Sequence, residues 1–395
     1  MSDTRKTTKP NVPNLRFPGF EGEWARCTLG EIGEPYIGLT YSPADVVSEG
    51  GTIVFRSSNI QNGEIDYSDI VRVNKIIKDS IITRKDDLLI CARNGSPRLI
   101  GKNALLKEAD EGQTFGAFML VFRSNDNHFV HQLLCTKGYN SQVSENLGAR
   151  INQITTSNIR DFEFCFPQST AERNKIAGFL DLIDERIAVQ SRLIEDLKKL
   201  RCAIVEKMFK QSKANGRLGD FIEQVSVRNK NGLYSNVLSV SNKQGFVKQS
   251  EQVEDRTVAS EDTSNYKIVK RNNFAYNPAR INVGSIARLT KFDVGIVSPM
   301  YVCFRTKASI IPEYMEAFFT SQQFFYEMMK RLEGSVRLCL SYEGLCNIPV
   351  YIPDMNKQIA MGQNISLILS KIGLEIEYLG RLHQQKQYLL RKMFI

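Results

Sequence analysis

The sequence lacks most of the motifs by which enzymes are recognised. It contains no GxSxG, Walker A or HExxH stretch and no glycine-rich cofactor loop, so no nucleophile elbow, phosphate loop or zinc-protease site is indicated. It has three histidines. His128 and His131 could share one helical face as metal ligands, but no third ligand stands near them, and His383 is isolated. The sequence therefore predicts a chain without a catalytic site of its own and without a metal.

Long apolar runs and paired cysteines are also missing. No stretch of eighteen apolar residues occurs, which excludes a membrane-spanning helix. The start of the chain, "MSDTRKTTKPNVP", is polar and basic without an apolar segment, which argues against secretion. The eight cysteines include no CxxC pair, a pattern typical of reduced thiols. We therefore expect a cytoplasmic protein.

Two short stretches resemble catalytic motifs without completing them. "YNPAR" (Tyr276–Arg280) is similar to the Asn-Pro-Pro-aromatic signature of adenine methyltransferases but lacks the second proline and the aromatic residue that stacks on a flipped base. Asp196 and Lys198 form a D-x-K pair of the kind used in nuclease sites, with no partner acidic motif at a suitable spacing. Both stretches are better explained as non-catalytic surface.

The chain is long and basic. Its 395 residues exceed what one hydrophobic core accommodates, so two or more domains are expected. The net charge of +9 and the pI of about 9.0 favour a polyanionic partner, most often nucleic acid, over a merely basic protein. Which of the two applies depends on where the charge lies.

Two stretches of about forty residues repeat apolar side chains at alternating steps of four and three, the seam of a coiled coil. With Phe209 aligned on Phe394, the polar breaks coincide, Gln190 with Glu375 and Arg201 with Lys386. The pattern predicts two long helices that pair with each other, each about 60 Å long. The apolar seam positions are Ile176, Leu180, Ile183, Ile187, Ile194, Leu197, Ile204 and Met208, matched by Met361, Ile365, Ile368, Ile372, Leu379, Leu382, Leu389 and Met393.

The repeat extends upstream of both helices. "CTLGEI" (Cys27–Ile32) is echoed by "GRLGDF" (Gly216–Phe221), and "VFRS" (Val121–Ser124) by "CFRT" (Cys303–Thr306). Short β-type runs alternate with turns and a few helical stretches, which indicates α+β domains. The predicted plan is a polar tail (1–16), a first domain (17–166), a first helix (167–212), a second domain (213–352) and a second helix (353–395).

Positive charge without acidic residues concentrates in one segment of each domain, residues 93–107 and 267–291. Arg and Lys neutralise phosphates, and Arg or Asn can pair with guanine or adenine edges, so DNA contacts are predicted there; a solvated loop is the alternative. The candidates in the first domain are Ser57, Asn59, Arg93, Asn94, Ser96, Arg98 and Lys102. Those in the second are Ser241, Asn242, Lys243, Tyr276, Asn277, Arg280 and Asn282. Arg150 and Arg337, at matched glycine-rich turns, are predicted phosphate contacts.

This organisation resembles the specificity subunit of type I restriction–modification systems. Three stretches carry the resemblance: "VPNLRFPGFEGEWARCTLGEI", "FPQSTAERNKIAGFLDLIDERI" at the start of the first helix, and the closing "LLRKMF". The resemblance spans essentially the whole chain after residue 12. The second helix departs from the family pattern, because "IPDMNKQIAMGQNISLILSKIGLEI" lacks the usual EQ.KI start and carries Gly373, which costs about 1 kcal/mol relative to Ala.

The resemblance implies an α+β fold of two similar target-recognition domains that alternate with two long helices, paired as an antiparallel coiled-coil spacer. It implies that each domain reads one half of an asymmetric, bipartite double-stranded DNA target and that the helices set the gap. It further implies docking of two modification subunits that carry S-adenosylmethionine and methylate adenine, joined by restriction subunits. This chain would then bind no cofactor itself and be a non-catalytic subunit.

Two other hypotheses stay open from the sequence. A coiled-coil scaffold for protein partners would have only non-specific DNA affinity, with its basic loops incidental. A self-contained enzyme that reads and modifies DNA would need the cofactor loop that is missing from the sequence.

Overall fold

Two α+β domains are each followed by a long helix in the computed structural model, which describes residues 10–147, 152–210, 213–242, 244–249, 262–334 and 337–395. The chain divides into two units. The first comprises the residues up to Gln190 together with Tyr378–Ile395, and the second comprises Ser191–Glu377. Each unit therefore contains one α+β domain and a part of each long helix.

The first domain is built from twelve short strands, four short helices and the start of a long helix. The strands are β1 (Ala25–Thr28), β2 (Glu34–Ile37), β3 (Val46–Val47), β4 (Thr52–Phe55), β5 (Ile60–Gln61), β6 (Glu64–Ile65), β7 (Val71–Val73), β8 (Leu88–Cys91), β9 (Asn103–Leu105), β10 (Thr114–Phe115), β11 (Met119–Arg123) and β12 (Glu163–Phe166). The helices are α1 (Leu29–Ile32), α2 (Asn127–Leu133), α3 (Lys137–Asn146), α4 (Thr156–Asp161) and the long α5 (Thr170–Lys210).

One four-stranded sheet forms the centre of this domain, in the order β2-β11-β8-β9 with antiparallel pairing throughout. Strands β8 and β11 pair with Leu89 opposite Val121, and nearly all of their side chains are buried. Burial on both faces explains why they appear in the sequence as continuous apolar runs rather than alternating ones. A second sheet, β10-β4-β7-β3, packs next to it and shares the core around Phe55 and Phe115.

The second domain repeats this plan. Its strands are β13 (Gly216–Arg217), β14 (Ile222–Gln224), β15 (Val237–Ser241), β16 (Gly245–Lys248), β17 (Lys267–Lys270), β18 (Phe274–Tyr276), β19 (Ile286–Arg288), β20 (Val294–Val297), β21 (Val302–Thr306) and β22 (Pro349–Val350). Its helices are α6 (Leu218–Phe221), α7 (Pro312–Phe318), α8 (Gln322–Met329) and α9 (Tyr342–Cys346), followed by the long α10 (Met355–Met393).

The internal repeat predicted from the sequence is present in the strand order. The central sheet of the second domain runs β14-β21-β18-β19, the counterpart of β2-β11-β8-β9. The predicted match of "VFRS" with "CFRT" falls on β11 and β21, where Arg123 stands opposite Glu34 and Arg305 opposite Glu223. The two domains therefore share one architecture although most of their residues differ.

The long helices pack against each other along the predicted apolar seam, and each unit contains part of this packing. In the first unit, apolar seam residues of α5 and of the end of α10 share one core, formed by Ile176, Leu180, Ile183 and Ile187 with Leu379, Leu382, Leu389 and Met393. In the second unit Ile204 and Met208 share a core with Met361 and Ile365. Because the start of α5 meets the end of α10, and the end of α5 meets the start of α10, the helices are antiparallel.

All of the predicted apolar seam side chains are buried or half-buried, and so are the four polar breaks. Helix α10 continues through Gly373, so this residue does not end the helix. The cores also take in domain residues, such as Trp24 and Phe129 in the first unit. The predicted α+β class with two paired long helices is thus confirmed. Among the described residues, no helix has the length and apolarity needed to cross a membrane.

Candidate nucleic-acid interface

In the first domain, polar residues from two distant segments meet at the end of the central sheet. Strand β8 ends at Cys91 and leads into residues 93–102, which we call the first reading loop. The Asn94 side-chain amide donates to the Ser57 hydroxyl at 2.9 Å, and the Ser96 backbone N–H donates to Asn94 Oδ1 at 3.0 Å. Predicted candidates that lie almost forty residues apart in sequence thus form one hydrogen-bonded surface.

The basic side chains of this loop are available to an anion. Arg93 and Arg98 are exposed and Lys102 is half-buried. No described carboxylate pairs with any of the three, whereas Lys107, a little farther along, is neutralised by Glu64 at 2.6 Å. Unpaired cations can neutralise phosphates, and the amide and hydroxyl groups beside them can hydrogen-bond to base edges.

Asn59 occupies a different position from the other candidates. It is 1% exposed. Its Oδ1 accepts from the Arg56 backbone N–H at 2.8 Å, and its Nδ2 donates to the carbonyl oxygens of Asp66 and Asp69 at 3.0 and 2.8 Å. Because a buried amide with three hydrogen bonds is already satisfied, Asn59 holds the turn together, and we propose no DNA contact for it.

In the second domain the equivalent surface lies around residues 277–284, which we call the second reading loop. Arg280 is exposed, Asn282 is half-buried, and no described carboxylate pairs with Arg280. Gly284 has a φ of +88°, and a Cβ built on it would lie 3.7 Å from the Cβ of Asn242. The exposed Asn242 and the adjacent half-buried Ser241 therefore lie beside this loop, as Ser57 lies beside the first.

Tyr276 and Asn277, both predicted contacts, face inward. Tyr276 is 0% exposed, and its hydroxyl donates to the Leu340 carbonyl at 3.2 Å. Asn277 is buried, and its Oδ1 accepts from the Ala279 backbone N–H at 3.1 Å. These two residues hold the start of the second reading loop in place through their hydrogen bonds, and we propose no base contact for them.

Three predicted residues lie outside these two surfaces or outside the described part of the chain. Arg337 is exposed, three residues after Gly334, whose φ is +119°. Arg150 and Lys243 lie outside the described residues. Their predicted role as DNA contacts stays a prediction.

The structure adds residues to the first surface that the sequence did not indicate. The guanidinium of Arg93 lies 5.0 Å from the ring centre of Phe118, which is 57% exposed. Gln153 forms a β-bridge with Arg93, and the Asn152 amide donates to the Gly95 carbonyl at 3.1 Å. Phe118 could not be singled out from "AFMLVFRS", because an exposed apolar residue at a turn looks the same in sequence as the buried strand that follows.

One cluster of charged groups lies where helix α2 meets the long helices. Ligand atoms of His131, Asp181 and Asp184 lie within 4.8 Å of one another, a spacing that could hold a metal. The Lys386 ammonium, however, lies 2.5 and 2.7 Å from the two oxygens of Asp184, and the Gln132 amide donates to both carboxylates at 2.8 Å. Protein donors thus already satisfy the carboxylates, and we assign the cluster a structural role.

The two histidines of α2 have different environments. Burial lowers the pKa of His131 to about 4, which keeps its ring neutral. The ring of His128 instead binds Asp181 at 2.6 Å and Asp86 at 3.2 Å. The hydrogen bond with Asp181 raises the pKa of His128, although partial burial opposes it. The prediction that the chain holds no metal is not tested by this arrangement.

The first half of the chain is similar to a known protein family. Residues 21–199 match the model of the family described as "Type I restriction modification DNA specificity domain". The match covers the first α+β domain with its reading loop and much of helix α5, so the surface described above lies within the matched residues.

The curated relatives are specificity subunits. The chain is 28% identical over 194 residues to the type I restriction enzyme StySPI specificity subunit of Salmonella potsdam, covering 46% of this chain and 42% of that protein. It is 27% identical over 194 residues to the EcoKI specificity subunit of Escherichia coli strain K12, covering 46% of this chain and 41% of that protein. The matches thus span about two fifths of these relatives' length.

Two solved structures resemble the fold of this chain over both of its halves. The S subunit of a type I restriction-modification system from M. genitalium has a TM-score of 0.61 at 19% identity, covering 97% of this chain and 99% of that one. A chain from a type I R-M system, solved in a study of complex assembly and conformational transition, has a TM-score of 0.53 at 14% identity and covers 96% and 99%. The second domain and both long helices therefore belong to the same fold.

Proposed function

We propose that this chain is the DNA-specificity subunit of a type I restriction–modification complex, a non-catalytic protein that works in the cytoplasm. Each α+β domain reads one half of a bipartite target in double-stranded DNA. Because the two reading loops differ in sequence, the two half-sites differ and the target is asymmetric. The long helices set the gap between the half-sites and carry the docking sites of the modification subunits.

The observation that carries the proposal is the surface at the first reading loop. Arg93 and Arg98 are exposed without an acidic partner among the described residues, beside the hydrogen-bonded pair Asn94 and Ser57. This surface lies within residues 21–199, which match the model of the DNA specificity domain. Arginine and asparagine can each pair bidentately with a base edge, and a good pair discriminates by about 1–3 kcal/mol. A surface of this composition is suited to reading bases and neutralising phosphates together.

Arg280, Asn282 and Asn242 support an equivalent role for the second domain. They lie in or beside the second reading loop, at the matching place in the repeated fold. The residues that we propose as DNA contacts are therefore Ser57, Arg93, Asn94, Ser96, Arg98, Lys102, Ser241, Asn242, Arg280, Asn282 and Arg337, together with Arg150 and Lys243.

Exposed apolar side chains on the long helices support docking of protein partners. On α5, Leu182 and Val189 are exposed, and they lie on one face because seven residues make two turns. Leu193 and Leu200 repeat this spacing farther along α5, and Leu367 and Leu374 repeat it on α10. Large apolar groups outside a seam are typical of protein interaction sites. We propose that two modification subunits bind there, bringing S-adenosylmethionine, and that restriction subunits join the complex.

The first test is methylation mapping by long-read sequencing in cells that express this chain with its modification partner. Cells that lack only this chain are the control. A split, asymmetric motif methylated on adenine, present in the first cells and lost from the second, is the expected result. The motif also supplies the target sequence for the experiments below.

Absence of any chain-dependent motif, with the partner shown to be active, would overturn the proposal. The coiled-coil scaffold with only non-specific DNA affinity would then be the better explanation. Methylation by the purified chain without a partner subunit would instead favour a self-contained enzyme, and would contradict the non-catalytic role.

A further inference from the structure

Each domain presents one large apolar side chain to solvent at the same turn of its fold. Phe118 precedes strand β11, Met300 comes just before strand β21, and both are 57% exposed. The two positions are equivalent, because Phe118 stands five residues before Arg123 and Met300 five residues before Arg305. These arginines lie at matching places on the central sheets, opposite Glu34 and Glu223.

The turn in the first domain is attached to the first reading loop. The backbone N–H groups of Ala92 and Arg93 both donate to the Phe118 carbonyl at 2.9 Å. The guanidinium of Arg93 lies over the phenyl ring, 5.0 Å from its centre, a cation–π contact. Phe118 therefore lies on the same surface as the cations and amides of the first reading loop.

The turn in the second domain occupies the corresponding place. Strand β21 begins at Val302, which stands opposite Tyr276, the residue just before the second reading loop. Met300 lies two residues before Val302, in the turn closed by the Tyr301 N–H donating to the Ser298 carbonyl at 3.1 Å. Met300 thus lies beside the start of that loop.

A single exposed apolar residue needs no explanation, since many occur on every protein. Here the same position carries one in both domains although the residue type differs, and both lie beside a polar reading loop. In the major groove the C5-methyl group of thymine is an apolar group, whereas the other base edges offer hydrogen-bond donors and acceptors. An apolar side chain among cations and amides is complementary to such a methyl group.

We propose that Phe118 and Met300 are base-reading residues that contact thymine methyl groups in the major groove, one in each half-site. This inference rests on the proposed function, and it adds an apolar contact to the polar ones. Phe118 has a second task as a positioning residue, because its ring holds the guanidinium of Arg93.

The test uses the full chain and duplexes that carry the motif found by methylation mapping. Each thymine is replaced in turn by deoxyuridine, which removes the C5-methyl group and keeps the base pair. With the wild-type chain, one replacement in the first half-site is expected to weaken binding about three- to fivefold, the value of one buried methyl group. Phe118→Ala should lose this sensitivity, because the contact is already absent, and should keep the sensitivity in the other half-site.

Met300→Ala should behave in the opposite way, losing sensitivity only in the second half-site. Ile76→Ala is the matched control, since the Ile76 side chain is 97% exposed and lies outside the first reading loop; it should respond to deoxyuridine as the wild type does. Phe118→Leu, which keeps an apolar side chain of similar reach, should retain part of the sensitivity. Because the side chains are largely exposed, the variants should unfold at nearly the wild-type temperature.

The inference is overturned if no deoxyuridine replacement weakens the wild-type chain, or if Phe118→Ala and the wild type respond equally to every replacement. Either result leaves the proposed function intact, because the motif itself is still bound. Failure of the proposed function is recognised earlier and separately, as the absence of any chain-dependent motif.

Discussion

At the scale of single residues, Arg93 and Asn59 differ in burial, and this difference indicates which of them can contact a ligand. Both are polar, and both lie in segments predicted to contact DNA. Arg93 is exposed without an acidic partner among the described residues, so its hydrogen-bonding capacity is free for a ligand. The amide of Asn59 already makes three hydrogen bonds inside its turn. Removing Asn59 should therefore affect folding, whereas removing Arg93 should affect recognition.

Arg93→Ala is expected to relax recognition at one position of one half-site and to leave the other half-site unchanged. The loss should be about 1–3 kcal/mol of discrimination if the guanidinium pairs with a guanine. The measurement is equilibrium binding to duplexes that carry single substitutions in the methylated motif, at fixed salt concentration.

Arg84→Ala is the matched control for that experiment. Arg84 is an exposed arginine that precedes strand β8, whereas Arg93 follows it, and it pairs with Asp79 at 3.2 Å. Equal loss at both half-sites with Arg93→Ala, or an equal effect of Arg84→Ala, would contradict the assignment of the first reading loop to one half-site.

At the scale of elements, ion pairs join the first domain to the long helices within the first unit. Asp181 and Asp184 of α5 receive hydrogen bonds from Gln132 of α2, and Asp184 also pairs with Lys386 of α10. Three helices therefore meet at one polar cluster next to the apolar seam. Lys386, which interrupts the apolar seam in the sequence, thus belongs to this cluster through its ion pair with Asp184.

Asp184→Asn is expected to destabilise the chain by about 1–3 kcal/mol, because it leaves the largely buried Lys386 ammonium without its anionic partner. Asp196→Asn, on the same helix, should change stability by less than about 0.5 kcal/mol, since its pair with Lys199 is mostly exposed. Thermal unfolding of the two variants side by side makes the comparison. Equal unfolding temperatures would show that the cluster does not hold the helices together.

His128 makes the same junction sensitive to pH. Its pKa in the folded chain is raised above the ordinary value of 6.5, first by the hydrogen bond with Asp181. A group with a raised folded pKa contributes stability that is complete below its unfolded pKa and is lost as the pH rises through the folded pKa. The difference in unfolding temperature between the wild type and His128→Gln should therefore be largest below about pH 6 and shrink as the pH rises.

His383→Gln supplies the control for the pH series, because His383 is exposed and lies on α10 outside the seam. Its unfolding temperature should follow that of the wild type at every pH. A His128→Gln difference that is constant with pH would show that the charge of the imidazole does not contribute to the junction.

At the scale of the whole molecule, the proposed function gives the paired helices the task of setting the gap in the target. The seam repeats every seven residues, so an insertion of seven in each helix, after Gln190 and after Glu375, lengthens both by about 10 Å and keeps their apolar faces in register. The gap in the methylated motif is expected to change, while the bases of each half-site stay the same.

The same seven residues inserted in the exposed turn at Gly50 and Gly51 form the control, which should leave the gap unchanged. Methylation mapping reads both outcomes directly. An unchanged gap after the helix insertions, in a chain that still directs methylation, would show that something other than helix length sets the spacing.

The sequence by itself determined the features that depend on local periodicity. The seam of the two helices follows from steps of four and three residues, and burial of its apolar positions is what the structure shows. The repeat of domain and helix, and the two basic segments, could also be read directly, because each is a property of neighbouring residues. The resemblance to the specificity subunit indicated the family whose model residues 21–199 match.

Only the tertiary structure decided which of the predicted polar contacts face outward. Tyr276 and Asn277 turn inward because strand β18 is covered on both faces, and Asn59 is buried because its turn closes around it. Phe118 lies exposed beside Arg93 because strands β8 and β11 pair side by side, although 25 residues separate Phe118 from Arg93 in the sequence. Burial depends on long-range strand pairing, so no local pattern can show it.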